Sequence, residues 1–503
     1  MQITKKLIIS NTLWSAVAQV LVMGINLLVL PLFIKNLGAE LFGIWVISNV
    51  VLGYLNVFDF GFTQGLQKYV AEARVKGDLK ELSVVVVSGV GLLLFIGLLL
   101  GGACFLSAQS IVVFFKIQPE NQLVAVRLLQ ISALFCVIMW PLRIVNVVLN
   151  ASMRIKELNL LNLVTNGGQS IIMLVLVLAA SDIITIKWIT AGFLAAGSAF
   201  GLVLVNQYVP EISWHPFHFK FGQIRRMHRF SLGMFFASLL GMLSVQIDTL
   251  IIGRLMSMNA VTAYTVASRV FLLLTRITSL LITALMPSVY NLNAVDDKRR
   301  IKLLLFEMVR ARTCVTVTMV PAAIVLLPAF ISLWFGPDYA GYAGWAQAFC
   351  LIPLFTCLGV ANIVARTCGY VKQVNIIFSV QIMVNLAISI LTIPALGIGG
   401  AIMGTIVATS VFGGFVFFPY YCRLIEVGFR RSYFCALKGV FVAAAATGLF
   451  YAVWRAVPAN WITMGCATVA FSGLSGLAAW LTVFSSDEKK GHLQFIQRLV
   501  RPS

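Results

Sequence analysis

Residues 83–106 read SVVVVSGVGLLLFIGLLLGGACFL, with no charge among them. A run of this length crosses a bilayer as a helix, which needs about 20 apolar residues. Working outward, similar runs recur near 9–34, 41–66, 122–150, 159–181 and 187–208. Eight more follow near 230–253, 260–290, 303–333, 343–367, 375–395, 399–421, 436–456 and 460–484. Fourteen transmembrane helices are therefore expected, with only Leu396 to Gly400 between the eleventh and twelfth. Short alternating segments of the kind that build a membrane barrel do not occur. Composition points the same way: of 503 residues, 60% are hydrophobic and 11% charged, and the mean hydropathy is +0.96. A soluble globule carries about 25% charged residues. The fold class is an all-α integral membrane protein with no room for a large domain in water.

Lys and Arg number 37 against 17 Asp and Glu. A basic excess can mark a nucleic-acid surface, but that needs a water-soluble basic module. Here the positives sort by topology. Segments on the side of the N-terminus hold most of them: Lys5, Lys6, the 68–81 loop, Arg154, Lys156, Lys220 to Arg229, Lys298 to Arg312, Arg366, Lys372 and Arg423 to Lys438. The alternate segments hold only Lys35, Lys116, Arg127, Lys187, Arg254 and Arg455. The positive-inside rule then places both termini in the cytoplasm, and no nucleic-acid partner is needed. The first run continues past Ala16-Val17-Ala18 to Ile34, so it reads as an uncleaved helix rather than a signal peptide. Nine cysteines without a CxxC pair read as small apolar residues. His215, His218 and His228 fall in a loop lacking carboxylates and read as interfacial, so no metal site is expected.

Two internal correspondences suggest a duplication. Lys35, Gly38 and Trp45 match Arg254, Ser257 and Tyr264 at an offset of 219, and Pro141, Asn150 and Arg154 match Pro353, Asn362 and Arg366 at 212. The implied organisation is a six-helix lobe over 1–210, a cytoplasmic loop over 211–228 and a second six-helix lobe over 229–425. Two additional helices over 426–484 and a cytoplasmic tail over 485–503 follow. Six spans are an even number, so the lobes share one orientation. A parallel repeat of this kind creates a central cavity that alternates between the two faces.

Leu37-Gly-Ala-Glu-Leu-Phe-Gly-Ile-Trp45, Phe58-Asp-Phe-Gly61 and Tyr69-Val-Ala-Glu72 resemble the start of Wzx-type polysaccharide flippases, of the multidrug/oligosaccharidyl-lipid/polysaccharide (MOP) superfamily. Asp248-Thr-Leu-Ile-Ile-Gly-Arg254 resembles that family's seventh helix. The resemblance implies a flippase of the bacterial inner membrane. It would move undecaprenyl-pyrophosphate-linked oligosaccharide units to the outer leaflet for O-antigen, capsule or exopolysaccharide synthesis. Its partners would be that lipid-linked oligosaccharide, the membrane lipids, a polysaccharide polymerase and a chain-length regulator. Many members have twelve spans, so the last two helices depart from the pattern.

Ionisable groups inside spans are costly and mark function. The sequence places Asp59, Arg143, Asp248, Arg269 and Arg276 there. Depth allows Asp59 to pair with Arg143 and Asp248 with Arg269, as structural ion pairs or ion-coupling sites. Arg276 has no acidic residue at its depth and is the leading candidate to meet an anion. Arg143, Arg269 and Arg276 are candidates for a pyrophosphate headgroup, which suits the guanidinium fork. Asn146, Asn150 and Asn362 are candidates for sugar hydroxyls, or equally for gluing helices together. No catalytic residues and no cofactor are expected, and coupling to a proton or sodium gradient is the energetic option. The alternatives are a lipid II-type flippase, a cation-coupled multidrug exporter of the same superfamily, and a membrane glycan polymerase or ligase. An exporter of cations would be expected to present acids rather than arginines. A polymerase needs acid/base groups on a substantial outer loop, and the longest such connection, 107–121, carries only Glu120. Nor does the chain hold a Gly-rich nucleotide loop.

Overall fold

A computed structural model describes residues 22, 24–59, 61–294 and 297–484. All regular elements among them are helical. Thirteen segments are long and apolar enough to cross a membrane, preceded by the shorter apolar helix α1 (Gly24–Leu37). The beginning of the 9–34 run and the 485–503 tail lie outside the described residues. Contacts divide the chain into two compact units, Met1–Thr262 and Ala263–Ser503.

The first unit holds α2 (Ala39–Val57), α3 (Phe62–Lys76), α4 (Leu79–Phe114), α5 (Pro119–Leu142) and α6 (Ile144–Ala151). It continues with α7 (Ile155–Asn162), α8 (Gly168–Leu178), α9 (Ile183–Tyr208) and α10 (Phe221–Leu255). Its core gathers Leu66, Leu93, Trp140, Val148 and Val205, all buried. Apolar packing between helices in lipid gains little from the hydrophobic effect, so close backbone approach matters more. Glycines supply it. Gly97 leaves room for Trp140, and a Cβ on Gly43 of α2 would strike the Met258 carbonyl.

Two expectations change here. The 41–66 run is not one helix: α2 ends at Val57, and α3 begins after Gly61, whose φ of 72° suits glycine. The 68–81 segment is not a loop throughout, because α3 extends to Lys76. Leu66 and Val70 turn inward on α3 while Lys68 and Lys76 stay exposed, which is the amphipathic pattern of a surface helix.

The border between the units falls in the second turn of α11 (Met258–Ala294). The second unit then holds α12 (Lys298–Phe335), α13 (Ala343–Phe349), α14 (Ile352–Thr356) and α15 (Val360–Thr367). After these come α16 (Val371–Leu396), α17 (Ile398–Ile406), α18 (Phe418–Leu424), α19 (Arg430–Trp454) and α20 (Trp461–Val483). The additional pair, α19 and α20, packs along α12. Phe450 and Phe471 stack at 4.2 Å, and Gly439 and Gly476 admit Thr313 and Thr318 of α12.

Each unit repeats the other's local design. Ala39 opens α2 and Met258 opens α11, and Asp78 caps α4 as Asp297 caps α12, both pairs 219 residues apart. Each Asp accepts a backbone N–H three residues on, at Glu81 and at Arg300. Around the fourth helix the register differs from the 212 read in the sequence. The eight-residue helices α6 and α15 begin at Ile144 and Val360, 216 apart. They close identically: Ser152, Met153 and Arg154 donate to Val148, Asn150 and Leu149, as Cys368, Gly369 and Tyr370 donate to Val364, Arg366 and Ala365. Met153 and Gly369 both adopt positive φ. The match is thus shifted by about one helical turn, and Asn146, not Asn150, is the counterpart of Asn362.

Candidate functional site

On α2, Trp45, Asn49, Leu52 and Asn56 recur at spacings of four, three and four, so they share one face. That face, with α5 and α9, encloses a cavity of about 300 Å³ inside the first unit. Two cations line it, Arg143 just after α5 and Lys187 on α9. Arg143 donates through Nη1 to the Asn56 carbonyl at 3.2 Å and through Nη2 to Asn56 Oδ1 at 2.6 Å. Its guanidinium lies over Trp140, 4.3 Å from the ring centre. Lys187 is 5% exposed. Its Nζ donates to Asn49 Oδ1 at 2.9 Å and sits 4.7 Å from the Trp45 ring centre. Among the described residues, no carboxylate lines this cavity.

The remaining sequence candidates scatter. Asp59 sits at the break between α2 and α3 rather than within a span, because its Oδ1 accepts the Gly61 N–H at 2.8 Å and shapes the turn. Arg143 hydrogen-bonds the amide of Asn56, one turn earlier on the chain, while the Asp59 carboxylate is near enough to act on it electrostatically. Asp248, 3% exposed, lies on α10 in the first unit, and Arg269 lies on α11 in the second. Arg269 and Arg276 are two turns apart on α11. Arg276 is exposed, and Arg269 Nε is buried with no hydrogen-bond partner among the described residues. Asn146 is exposed and Asn150 half-buried, while Asn362 Oδ1 accepts from Arg366 Nε at 2.9 Å. His215, by contrast, stacks on Phe217.

Three embedded cations escaped the sequence reading. Lys187 was assigned to an outer segment because the sixth run was started at 187, whereas α9 begins at Ile183. Asp182, accepting from the N–H groups of Ile184 and Thr185, is the helix-start signal that locates it. Arg310 and Arg312 were counted with a basic loop, yet they lie inside α12, 8% and 7% exposed. Arg310 pairs with Glu307, and Arg312 Nη2 donates to Thr356 Oγ1 at 3.4 Å. Their removal from the loop count leaves the charge bias between alternate segments intact.

A family described as "Polysaccharide biosynthesis protein" matches residues 37–344. A protein of Shigella flexneri named "Putative O-antigen transporter" is 23% identical over 338 residues, covering 66% of this chain and 78% of that one. Among solved structures, the lipid II flippase MurJ in an inward closed conformation aligns with a TM-score of 0.71 at 14% identity, covering 97% of this chain and 99% of that one. An inward-facing multidrug resistance MATE transporter of the MOP superfamily aligns at 0.68 and 12% identity, over 80% and 95%. The chain belongs to the polysaccharide biosynthesis protein family, and it shares the fold of these flippase and MATE structures.

Proposed function

We propose that this protein flips a lipid-linked oligosaccharide, carried on a pyrophosphate, from the inner to the outer leaflet of the bacterial cytoplasmic membrane. Both termini face the cytoplasm in this reading, and the product feeds synthesis of a surface polysaccharide. The name of the Shigella flexneri relative supports the cargo class. The single observation that carries the reading is the polarity of the embedded groups. Among the described residues lining the cavity of Arg143 and Lys187 there is no carboxylate, Asp59 acting on Arg143 only from the α2–α3 turn, and Arg269 and Arg276 follow on one helix. A cation held in lipid without an acid is expensive and is stabilised by an arriving anion. Arg143, Arg269 and Arg276 are the proposed headgroup contacts, with Asn146, Asn150 and Asn362 toward the sugars. Asp59 shapes a turn, and Asp248 is the remaining carboxylate for ion coupling. An ion gradient supplies the energy, since the sequence holds no nucleotide loop.

The test is glycan export in a deletion strain complemented by variants. Arg276→Ala and Arg143→Ala should each lower surface polysaccharide about tenfold or more with protein abundance unchanged, and lipid-linked oligosaccharide should accumulate on the inner leaflet. Normal export by both variants would defeat the headgroup assignment.

A further inference from the structure

A second pocket, of about 350 Å³, opens on the far side of α5 and α9 from the cavity of Arg143 and Lys187. On α5, Ser132, Cys136 and Met139 line the cavity, whereas Arg127, Gln130, Ile131 and Leu134 line the pocket. Those spacings put the two sets on opposite faces of one helix. On α9, Lys187 and Thr190 belong to the cavity, and Ile184 and Trp188 to the pocket. Phe135 of the cavity meets Trp188 of the pocket edge to face at 5.6 Å, and the pair divides the two spaces.

The pocket lies near one end of its helices. Arg127 is about 12 Å into α5 from Pro119, Trp188 is about 8 Å into α9 from Ile183, and Phe105 is about 14 Å from the end of α4 at Phe114. In the orientation proposed above, that end is the outer one. A cation on the outer side opposes the charge bias that orients the chain, so Arg127 calls for a reason of its own. It does not stand clear of the apolar surface in water. Leu123, one turn nearer the end of α5, and Leu134, two turns deeper, are both exposed, as are Phe105 and Trp188. Exposed apolar groups above and below a cation mark a helix face in contact with lipid, where an arginine directs its charge to the phosphate layer. Three donor groups line the pocket: the Arg127 fork, the Gln130 amide and the Trp188 indole N–H. Among the described residues none of these three side chains makes a hydrogen bond or ion pair. Polarity also changes with depth. The donors of α5 come first, and Ile131 and Leu134 continue the stripe inward. That is the order of headgroup and acyl chain in an outer leaflet, and a free anion would gain nothing from the apolar end.

We propose that this pocket holds an outer-leaflet glycerophospholipid, with its phosphodiester on Arg127 and one acyl chain against Ile131, Leu134 and Phe105. The leaflet rests on the orientation in the flippase reading, whereas the pocket and its chemistry do not. The lipid is a resident and not the cargo, since its pocket faces away from the cavity. Seated there, it braces the α5–α9 pair whose other face carries Lys187.

The experiment is native mass spectrometry of the delipidated full-length protein in detergent, titrated with phosphatidylglycerol. Diacylglycerol, which lacks the phosphate, and inorganic phosphate are the comparison probes. Arg127→Gln should weaken the first phosphatidylglycerol bound at least fivefold, and Leu134→Trp, which fills the apolar end, should weaken it similarly. Arg455→Gln, at an outer-side arginine beyond the pocket, should stay within twofold of wild type. Phosphatidylglycerol should raise the unfolding temperature of wild type and raise that of Arg127→Gln less. Gel filtration and thermal unfolding without lipid check the fold of each variant. Equal affinity in Arg127→Gln and wild type overturns the proposal, as does diacylglycerol binding as tightly as phosphatidylglycerol. Displacement of the lipid by inorganic phosphate also overturns it, because the site would then be one for a free anion. No export is read in these measurements, so their failure leaves the flippase reading standing. Absence of export by wild type would leave this site standing in turn.

Discussion

Asp182 decides where Lys187 lies. Its carboxylate accepts the Thr185 hydroxyl at 2.6 Å and two backbone N–H groups, starting α9 four residues before the lysine. These bonds, the Thr185 hydroxyl first, hold the Asp182 carboxyl below its ordinary range. A depressed folded-state pKa contributes stability above the unfolded value of about 3.9, and that contribution is lost as pH falls through the folded value. Asp182→Ala should therefore cost about 1 kcal/mol at neutral pH, read by thermal unfolding in detergent. The deficit should shrink below about pH 4, and Asp182→Asn, an equally good cap, should show neither effect. An equal deficit at pH 7 and pH 3 would contradict this role. Such signals are present in the sequence, but an apolar run has soft ends, and four residues moved a lysine from loop to core. Asp59 shows the converse. Hydropathy runs on through residues 58–61, while α2 ends at Val57 and Gly61, in the left-handed region, opens α3.

Among elements, the start of α2 is held by backbone contact. Gly43 faces the Met258 carbonyl, and Thr262 Oγ1 donates to the Ala39 carbonyl at 2.6 Å. No side-chain rearrangement can relieve a Cβ placed against backbone. Gly43→Ala should therefore lower thermal stability by about 1–3 kcal/mol, whereas Ala at Gly102, with open space around it, should be near neutral. Unfolding of both variants at the same temperature would refute the close approach. The duplication was legible around Lys35 and Arg254, where the offset of 219 is the one at which the helix caps Asp78 and Asp297 also recur. It was misread by one turn around Pro141, because two Pro-Leu pairs at similar depth suggested an alignment that the hydrogen bonds closing α6 and α15 reject. Periodicity of 3.6 makes a four-residue slip hard to see in an apolar helix, since nearly the same face returns. The role of α19 and α20 was open in the sequence. Their glycines against α12 make them a buttress of the second unit.

At the scale of the whole chain, composition was the most legible feature. A protein with 11% charged residues and thirteen described spans works between its helices. Orientation signals also survive, because reassigning Lys187, Arg310 and Arg312 to helix interiors takes from both sides of the count. What the sequence hid was which charges share a space. Arg143 and Lys187 are 44 positions apart and meet only through the stripe on α2, which no linear motif encodes. Reconstitution into vesicles carrying a fluorescent lipid-linked oligosaccharide in both leaflets tests the central claim most directly. An impermeant quencher reaches only the outer half in empty vesicles. The account predicts that wild-type protein exposes the inner half as well, and that Arg276→Ala slows this exposure about tenfold. Quenching that stops at the outer half with wild-type protein, under an imposed ion gradient in either direction, would contradict it.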